Sequence, residues 1–331
     1  MSKLMAELRS GIARLADACV GLSPALYLAA VAIILIAGFS GDFYTMEVLV
    51  LVIIYAQFAA SWDVLSGYTE QDNFGHAFFI GGAGYLAAIL NKWLHITPWL
   101  GVPVGAAVAA LVGMGVGWLT LRLRGPYFAL STIAFSAVLF KLAFIFSKIT
   151  GGEEGLSGID PFTQEVSTDL YTTLTLFMVS VICLTAFARS HYGLVLRSTQ
   201  HNEDAAQASG INTAHYKVVG FVVSGFFAGV GGGMYAHTHM QVNPELLAGS
   251  LSVLVVLLAT IGGRGTIVGP AFAAGLLTLF GEWLRVIEEF RVVIFTGFLI
   301  ALVYVFPSGL ANTGFVTRSR NLRRFLLGRE V

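Results

Sequence analysis

Apolar runs long enough to cross a bilayer recur along this chain, and that feature removes most folds from consideration. A helix spanning about 30 Å of hydrocarbon needs about 20 residues, and fewer where neighbours shelter its ends. Ten candidate spans fall at residues 24–39, 43–65, 77–90, 98–121, 126–146, 170–188, 218–236, 246–261, 267–283 and 292–306. The third and eighth are short and flanked by glycine, a form that broken helices beside a transport pathway also take. Of the 331 residues only 11% are charged, against about 25% in a soluble domain. The expected fold class is an all-α polytopic membrane protein.

Charge placement gives the orientation. With the N-terminus in the cytoplasm and sides alternating, Lys3, Arg9, Arg14, Arg122, Arg124, Arg189, Arg197, Lys217, Arg264, Arg318, Arg320, Arg323, Arg324 and Arg329 fall inside. Outside fall only Lys92, Lys148, Arg285 and Arg291, with Lys141 within a span. Lys and Arg concentrate on the cytoplasmic side of membrane proteins, so ten spans with both termini cytoplasmic is the expected topology. Trp62, Trp93, Trp99, Trp118 and Trp283 lie near span ends, where indole rings settle. The chain thus divides into a cytoplasmic segment 1–23, read as a retained lead-in, a membrane domain 24–307, and a basic cytoplasmic tail 308–331.

Stripes of small residues show how the spans pack. Gly101, Gly105, Ala109, Gly113 and Gly117 recur every fourth residue on the fourth span, and Gly225, Gly229 and Gly233 on the seventh. Such stripes let helix backbones approach closely in lipid, so we read them as packing surfaces.

Several chemistries find no footing. No GxxxxGK[ST] phosphate loop, GxSxG elbow, HExxH pair or CxxC occurs. Cys19 and Cys183 are far apart and support neither a disulfide framework nor a metal site. His237 and His239, two residues apart, fall on different helix faces and read as interface histidines. Lys plus Arg and Asp plus Glu both number 19, so net charge gives no sign of a nucleic-acid partner.

Three polar stretches stand out. In the first, residues 67–84, polar and glycine-broken backbone at membrane depth is tolerated only inside protein or beside a wet cavity. Glu70, Gln71, Asp72, Asn73, Gly75 and His76 there, with Gln57 and Ser61 on the preceding span, are candidates for a solute pathway; a purely structural helix break fits equally. Glu47 and Asp63, near the ends of that span, read as hydrated. The second is the loop 147–169, whose Gly151, Gly152, Glu153 and Glu154 suit a docking surface for an external protein or a solvated loop. The third is the interlude 189–217 between spans six and seven. Asn202 can cap a short helix there, Glu203 and Asp204 suit its first turn, Ala205, Ala206 and Ala208 follow, and Gly210 can close it. Two uses fit this helix: a connector resting on the membrane surface, or a knob seated on a partner protein.

Taken together, GYTEQDNFGHAFFIGGAGY, LRLRGPYFALSTIAF, TGGEEGLSGI, the run from RSTQHNEDAAQASGIN through YKVVGFVVSGFFAGVGGGMYAH, and GGRGTIVGPAFAAGLL resemble the LivM-type permease subunits of branched-chain amino-acid ABC importers. The resemblance spans nearly the whole chain in order. It implies a transporter subunit and not an enzyme, in the inner membrane of a bacterium. The implied partners are a second, LivH-like permease, two cytoplasmic ATP-binding subunits, and a periplasmic or extracellular solute-binding protein. No cofactor is expected on this chain; ATP and Mg would sit on the partner subunits. Arg197, Asn202, Glu203, Asp204, Ala205, Ala206, Gly210 and Ile211 would then belong to a coupling helix seated on the ATPase. One departure stands out. The family usually shows an uncharged Gly-Gln pair followed by Ser-Leu-Gly-His, where this chain has Glu70-Gln71-Asp72-Asn73-Phe74-Gly75-His76. The added carboxylates would suit a cationic or amine-bearing solute, or would cap a helix. Relatives in this subfamily also import urea, amides and aromatic or organic acids.

Overall fold

A computed structural model describes residues 42–306, apart from 122 and 124, together with 309 and 310. The expected span 24–39, the segment 1–23 and nearly all of the tail 308–331 lie outside the described residues. The described residues form helices α1 (Phe43–Thr69), α2 (His76–Leu94), α3 (Pro98–Thr120), α4 (Pro126–Ile145), α5 (Ser147–Thr150) and α6 (Val166–Arg189). The arm α7 (His191–His201), the short α8 (Glu203–Ala208), and α9 (Thr213–Thr238) follow, then α10 (Gly249–Gly262), α11 (Val268–Trp283) and α12 (Arg291–Val305). Two-residue strands β1 (Leu156–Ser157) and β2 (Gln241–Val242) pair antiparallel.

Seven of these helices are long and apolar enough to cross a membrane, α11 running on through a 3-10 turn to Ile287; α10 and α12 are shorter apolar helices. Helix α2 corrects one expectation. It has 19 residues and is not short, because polar His76 and Asn91 lie inside the bundle at its ends. Helix α10, with 14 residues, is short as expected.

The core is built round α1, which is buried along most of its length and apolar round its circumference apart from the polar residues of its second half. Asp42 starts it, accepting from the Thr45 backbone N–H. Helices α9, α11, α6 and α10 pack against it, and α9 in turn lies on α2 and α3. The small-residue stripes act where α3 meets α9. The Phe79 ring is wedged between them: a Cβ on Gly113 would lie 2.1 Å from it, and one on Gly225 2.3 Å. Those two positions accept no side chain, which makes the stripes packing surfaces.

The polar groups gather at the two ends of this bundle. Arg189, Arg197, Lys217 and Arg264 stand at one end, with the turn 70–75; we call it the Arg197 end. Lys92, Lys148, Arg285 and Arg291 stand at the other, with β1, β2 and Asp160.

Candidate functional site

Helix α1 runs to Thr69, so the break in the first polar stretch is confined to residues 70–75 before α2 begins at His76. Glu70 ends α1 in the left-handed region, φ 55°, its N–H bonded to the Ser66 carbonyl. The Asn73 carboxamide oxygen accepts from the Gly75 N–H, folding the chain back so that the Asn73 carbonyl receives the Trp62 indole N–H at 2.8 Å. Gly75 lies hard against α4, where a Cβ would come 2.3 Å from the Thr132 carbonyl oxygen.

Gln57, Ser61, Gln71, Asn73 and His76 are all buried, at most 8% exposed. Ser61 donates to the Phe58 carbonyl, so His76 Nε2–H donates to the Ser61 hydroxyl at 3.0 Å. Gln57 donates to the Phe227 carbonyl at 2.8 Å. Four polar atoms of this group, Gln57 Oε1, Gln71 Oε1, Asn73 Nδ2 and His76 Nδ1, find no protein partner. Unpaired polar groups buried in a membrane bundle are costly and make these positions candidates for function. In this conformation the group is closed to solvent, packed between α1, α2 and α9. The two carboxylates of the turn are placed otherwise. Glu70 is exposed, and Asp72 is paired with Arg264 at 2.8 Å.

Asp63 corrects the sequence reading. It is fully buried, not hydrated, and its carboxylate accepts the Gly265 N–H at 2.8 Å and the Ile267 N–H at 2.7 Å. These amides belong to the loop 263–267 between α10 and α11. Arg264 of that loop donates to the Thr260 hydroxyl and covers the Trp62 ring at 5.5 Å. Arg197, from the arm α7, donates to the Gly265 carbonyl at 2.9 Å and to the Tyr68 hydroxyl at 3.1 Å, its guanidinium 4.6 Å over the Tyr68 ring. Local sequence does not single out Asp63, Tyr68 or Arg264 as site residues, since their partners lie far away in the chain.

The same loop is strained. Ile267 has φ 59° and ψ −54°, and the Val268 N–H returns to the Thr266 carbonyl at 2.6 Å. That is a γ-turn of the rare, unfavourable hand, on a β-branched residue, and such backbone costs about 1–3 kcal/mol.

Beside the arm, Asn202 caps α8 by accepting the Ala205 N–H at 2.9 Å, and Gly210 follows at φ 83°. Ala206 faces the chain's own interior, 6% exposed. Asp204, Ala205, Ala208 and Gly210 face out, while Ile211 is half-buried. Glu203 pairs at 2.6 Å with Lys217, which is itself 2% exposed. At the opposite end, Gly151 and Gly152 turn the loop with φ 79° and 63°, leaving Glu153 and Glu154 exposed. Among the described residues no group of three or more His, Cys, Asp or Glu could hold a metal ion.

A bundle in which seven helices are long and apolar enough to cross a bilayer fits a multi-pass membrane protein. The chain belongs to the family described as branched-chain amino acid transport system / permease component, whose profile matches residues 44–306. It is 25% identical over 295 residues to the high-affinity branched-chain amino acid transport system permease protein LivM of Escherichia coli (strain K12), covering 80% of this chain and 69% of that one. It is 28% identical over 204 residues to the nucleoside ABC transporter permease protein NupC of Lactococcus lactis subsp. cremoris (strain MG1363), covering 57% and 58%. The guanosine ABC transporter permease protein NupQ of Bacillus subtilis (strain 168) matches at 25% over 201 residues, covering 56% and 57%.

Proposed function

We propose that this chain is one permease subunit of an ATP-driven importer in a bacterial inner membrane, with the Arg197 end cytoplasmic. A second permease subunit of LivH type completes the pathway. Two ATP-binding subunits seat on the α8 knob, and a solute-binding protein docks at the opposite end on the loop carrying Gly151 to Glu154. The solute is a branched-chain amino acid or a related small polar compound. One observation carries the reading: the family match runs through residues 44–306, which contain both the bundle and the knob. Asp72 is committed to Arg264 and Glu70 is exposed, which weighs against these carboxylates selecting a cationic solute.

The cycle is alternating access. ATP draws the two ATP-binding subunits together, the knobs follow, and the spans rock to open the pathway toward the binding protein; hydrolysis resets it. Such a cycle runs only if nucleotide and binding protein hold the two states with unequal affinity.

Purification of the tagged full-length chain in mild detergent tests this. A nucleotide-binding subunit and a second permease are expected in the complex. Ala208→Arg, on the outward face of the knob, is expected to cut recovery of the nucleotide-binding subunit at least about tenfold, a loss of about 1.4 kcal/mol of binding, without reducing the chain itself. Gradient-driven solute uptake by this chain alone in liposomes would overturn the reading in favour of a secondary transporter or channel.

A further inference from the structure

The arm that carries the knob meets the polar break at its rim, where the Gln200 side chain donates to the Gly67 carbonyl and the Glu70 carboxylate at 3.4 Å; a further element ties them together by shorter bonds. Loop 263–267 is bonded to the arm through Arg197 and the Gly265 carbonyl, to α1 through Asp63, and to the turn 70–75 through Arg264 and Asp72. It is therefore a junction at which arm, central helix and polar turn meet. It also holds a strained turn at Ile267, which the Asp63 carboxylate keeps in place by binding the amide on each side of Thr266. A strained backbone persists only where its surroundings over-determine it, and such sites cluster at switches.

We infer that loop 263–267 is the element through which the arm moves the floor of the pathway, with the γ-turn at Ile267 as its hinge and Asp63 and Arg197 as its positioning residues. The inference rests on the importer reading. In the conformation seen here both residues grip the loop. When the arm shifts, Arg197 leaves the Gly265 carbonyl, the grip on one side is lost, and relief of the turn favours departure of the loop. Arg264 then carries the displacement to Asp72 and the turn 70–75.

Hydrogen exchange on the complete transporter, copurified through the tagged chain, tests this without knowledge of the solute. The Gly265 and Ile267 amides are expected to exchange slowly without nucleotide and about tenfold faster with ATP and vanadate. Ile267→Gly removes the conflict at positive φ while keeping the turn. Ile267 is 1% exposed, so the variant also gives up a buried side chain and its melting temperature is expected to fall; the readout is exchange, and it is expected to lose most of the nucleotide-induced acceleration. Asp63→Asn weakens the grip and is expected to exchange fast without nucleotide; should it fail to accumulate, Ile267→Gly decides alone. Equal exchange with and without nucleotide in the wild type overturns the inference, as does an Ile267→Gly variant that responds to nucleotide as the wild type does. A wild-type chain that brings down no nucleotide-binding subunit instead sinks the importer reading itself.

Discussion

At the Asp160 end, backbone and neutral side-chain ties join residues far apart in sequence, beside charged contacts that are mostly exposed: Lys92 on the Ser157 carbonyl, and Glu282 with Tyr44, Arg285 and Arg291. Strand β1 pairs with β2, the Asn91 side chain bonds both the amide and the carboxylate of Asp160, and His237 Nδ1–H donates to the Asp160 carbonyl at 2.7 Å. At the Arg197 end the ties run through charged side chains: Asp63, Arg264 with Asp72, Arg197, and Glu203 with Lys217. A set of short backbone ties gives gradually when one member is weakened. A buried charge that loses its partner is heavily penalised, so an end that holds two such charges, Asp63 and Lys217, keeps one arrangement firmly and can adopt another only if their partners exchange with them. That suits the first end to present a fixed surface and the second to switch.

The largest expected effect tests the charged end. Lys217 is almost wholly buried and Glu203 is its partner. Glu203→Ala is expected to destabilise the chain by about 3–5 kcal/mol, since it leaves an ammonium uncompensated, whereas replacing both partners by apolar residues of similar volume is expected to be nearly neutral. Thermal unfolding of the purified chain measures both. Next comes Asp63→Ala, which strands the Gly265 and Ile267 amides; each orphaned N–H costs about 1–3 kcal/mol. Loss of stability with fast exchange across 263–268 is the expected outcome. At the Asp160 end, Gly155 has φ 76° and a Cβ there would lie 2.1 Å from the Val242 carbonyl oxygen. Gly155→Ala is expected to cost about 1–3 kcal/mol in local strain, read as faster exchange at Leu156 and Val242 with the Arg197 end unchanged. A spread of that loosening to loop 263–267 would break the contrast between the ends.

What was legible in the sequence was local. Asn202, two acidic residues, three alanines and a glycine write a short capped helix without help from the rest of the fold, and Glu203–Ala208 is the helix found. Span positions follow from apolar runs, and the Gly113 and Gly225 stripes from their spacing. The errors arose where a residue's state is fixed by something distant. Asp63 lies six residues from the end of α1 and was read as wet because nothing nearby reveals that the Gly265 and Ile267 amides close over it. Helix α2 was read as short because its polar ends look like loop until the bundle covers them. Ala206 lies on the inward face of the short helix, where Gly210 and Ile211 fold the chain back under it and the Ile211 N–H bonds the Ala206 carbonyl. The strain at Ile267 has no sequence signal, since isoleucine before a helix is ordinary.

The smallest expected effect is the most discriminating about Asp72. Its ion pair with Arg264 is partly open, with side-chain exposures of 32% and 34%, so solvent screens it and its loss costs only about 0–1 kcal/mol. Arg264 also keeps the Thr260 hydroxyl and the Trp62 ring when the carboxylate is gone. Asp72→Asn is therefore expected to shift unfolding slightly, with the shift shrinking further in high salt, and to leave the solute range unchanged, measured by competition for uptake between leucine and cationic amino acids. A changed preference against cations would mean that Asp72 leaves Arg264 during the cycle and meets the solute. In that case the charged end would select cargo as well as switch, and the division of labour between the two ends would no longer hold.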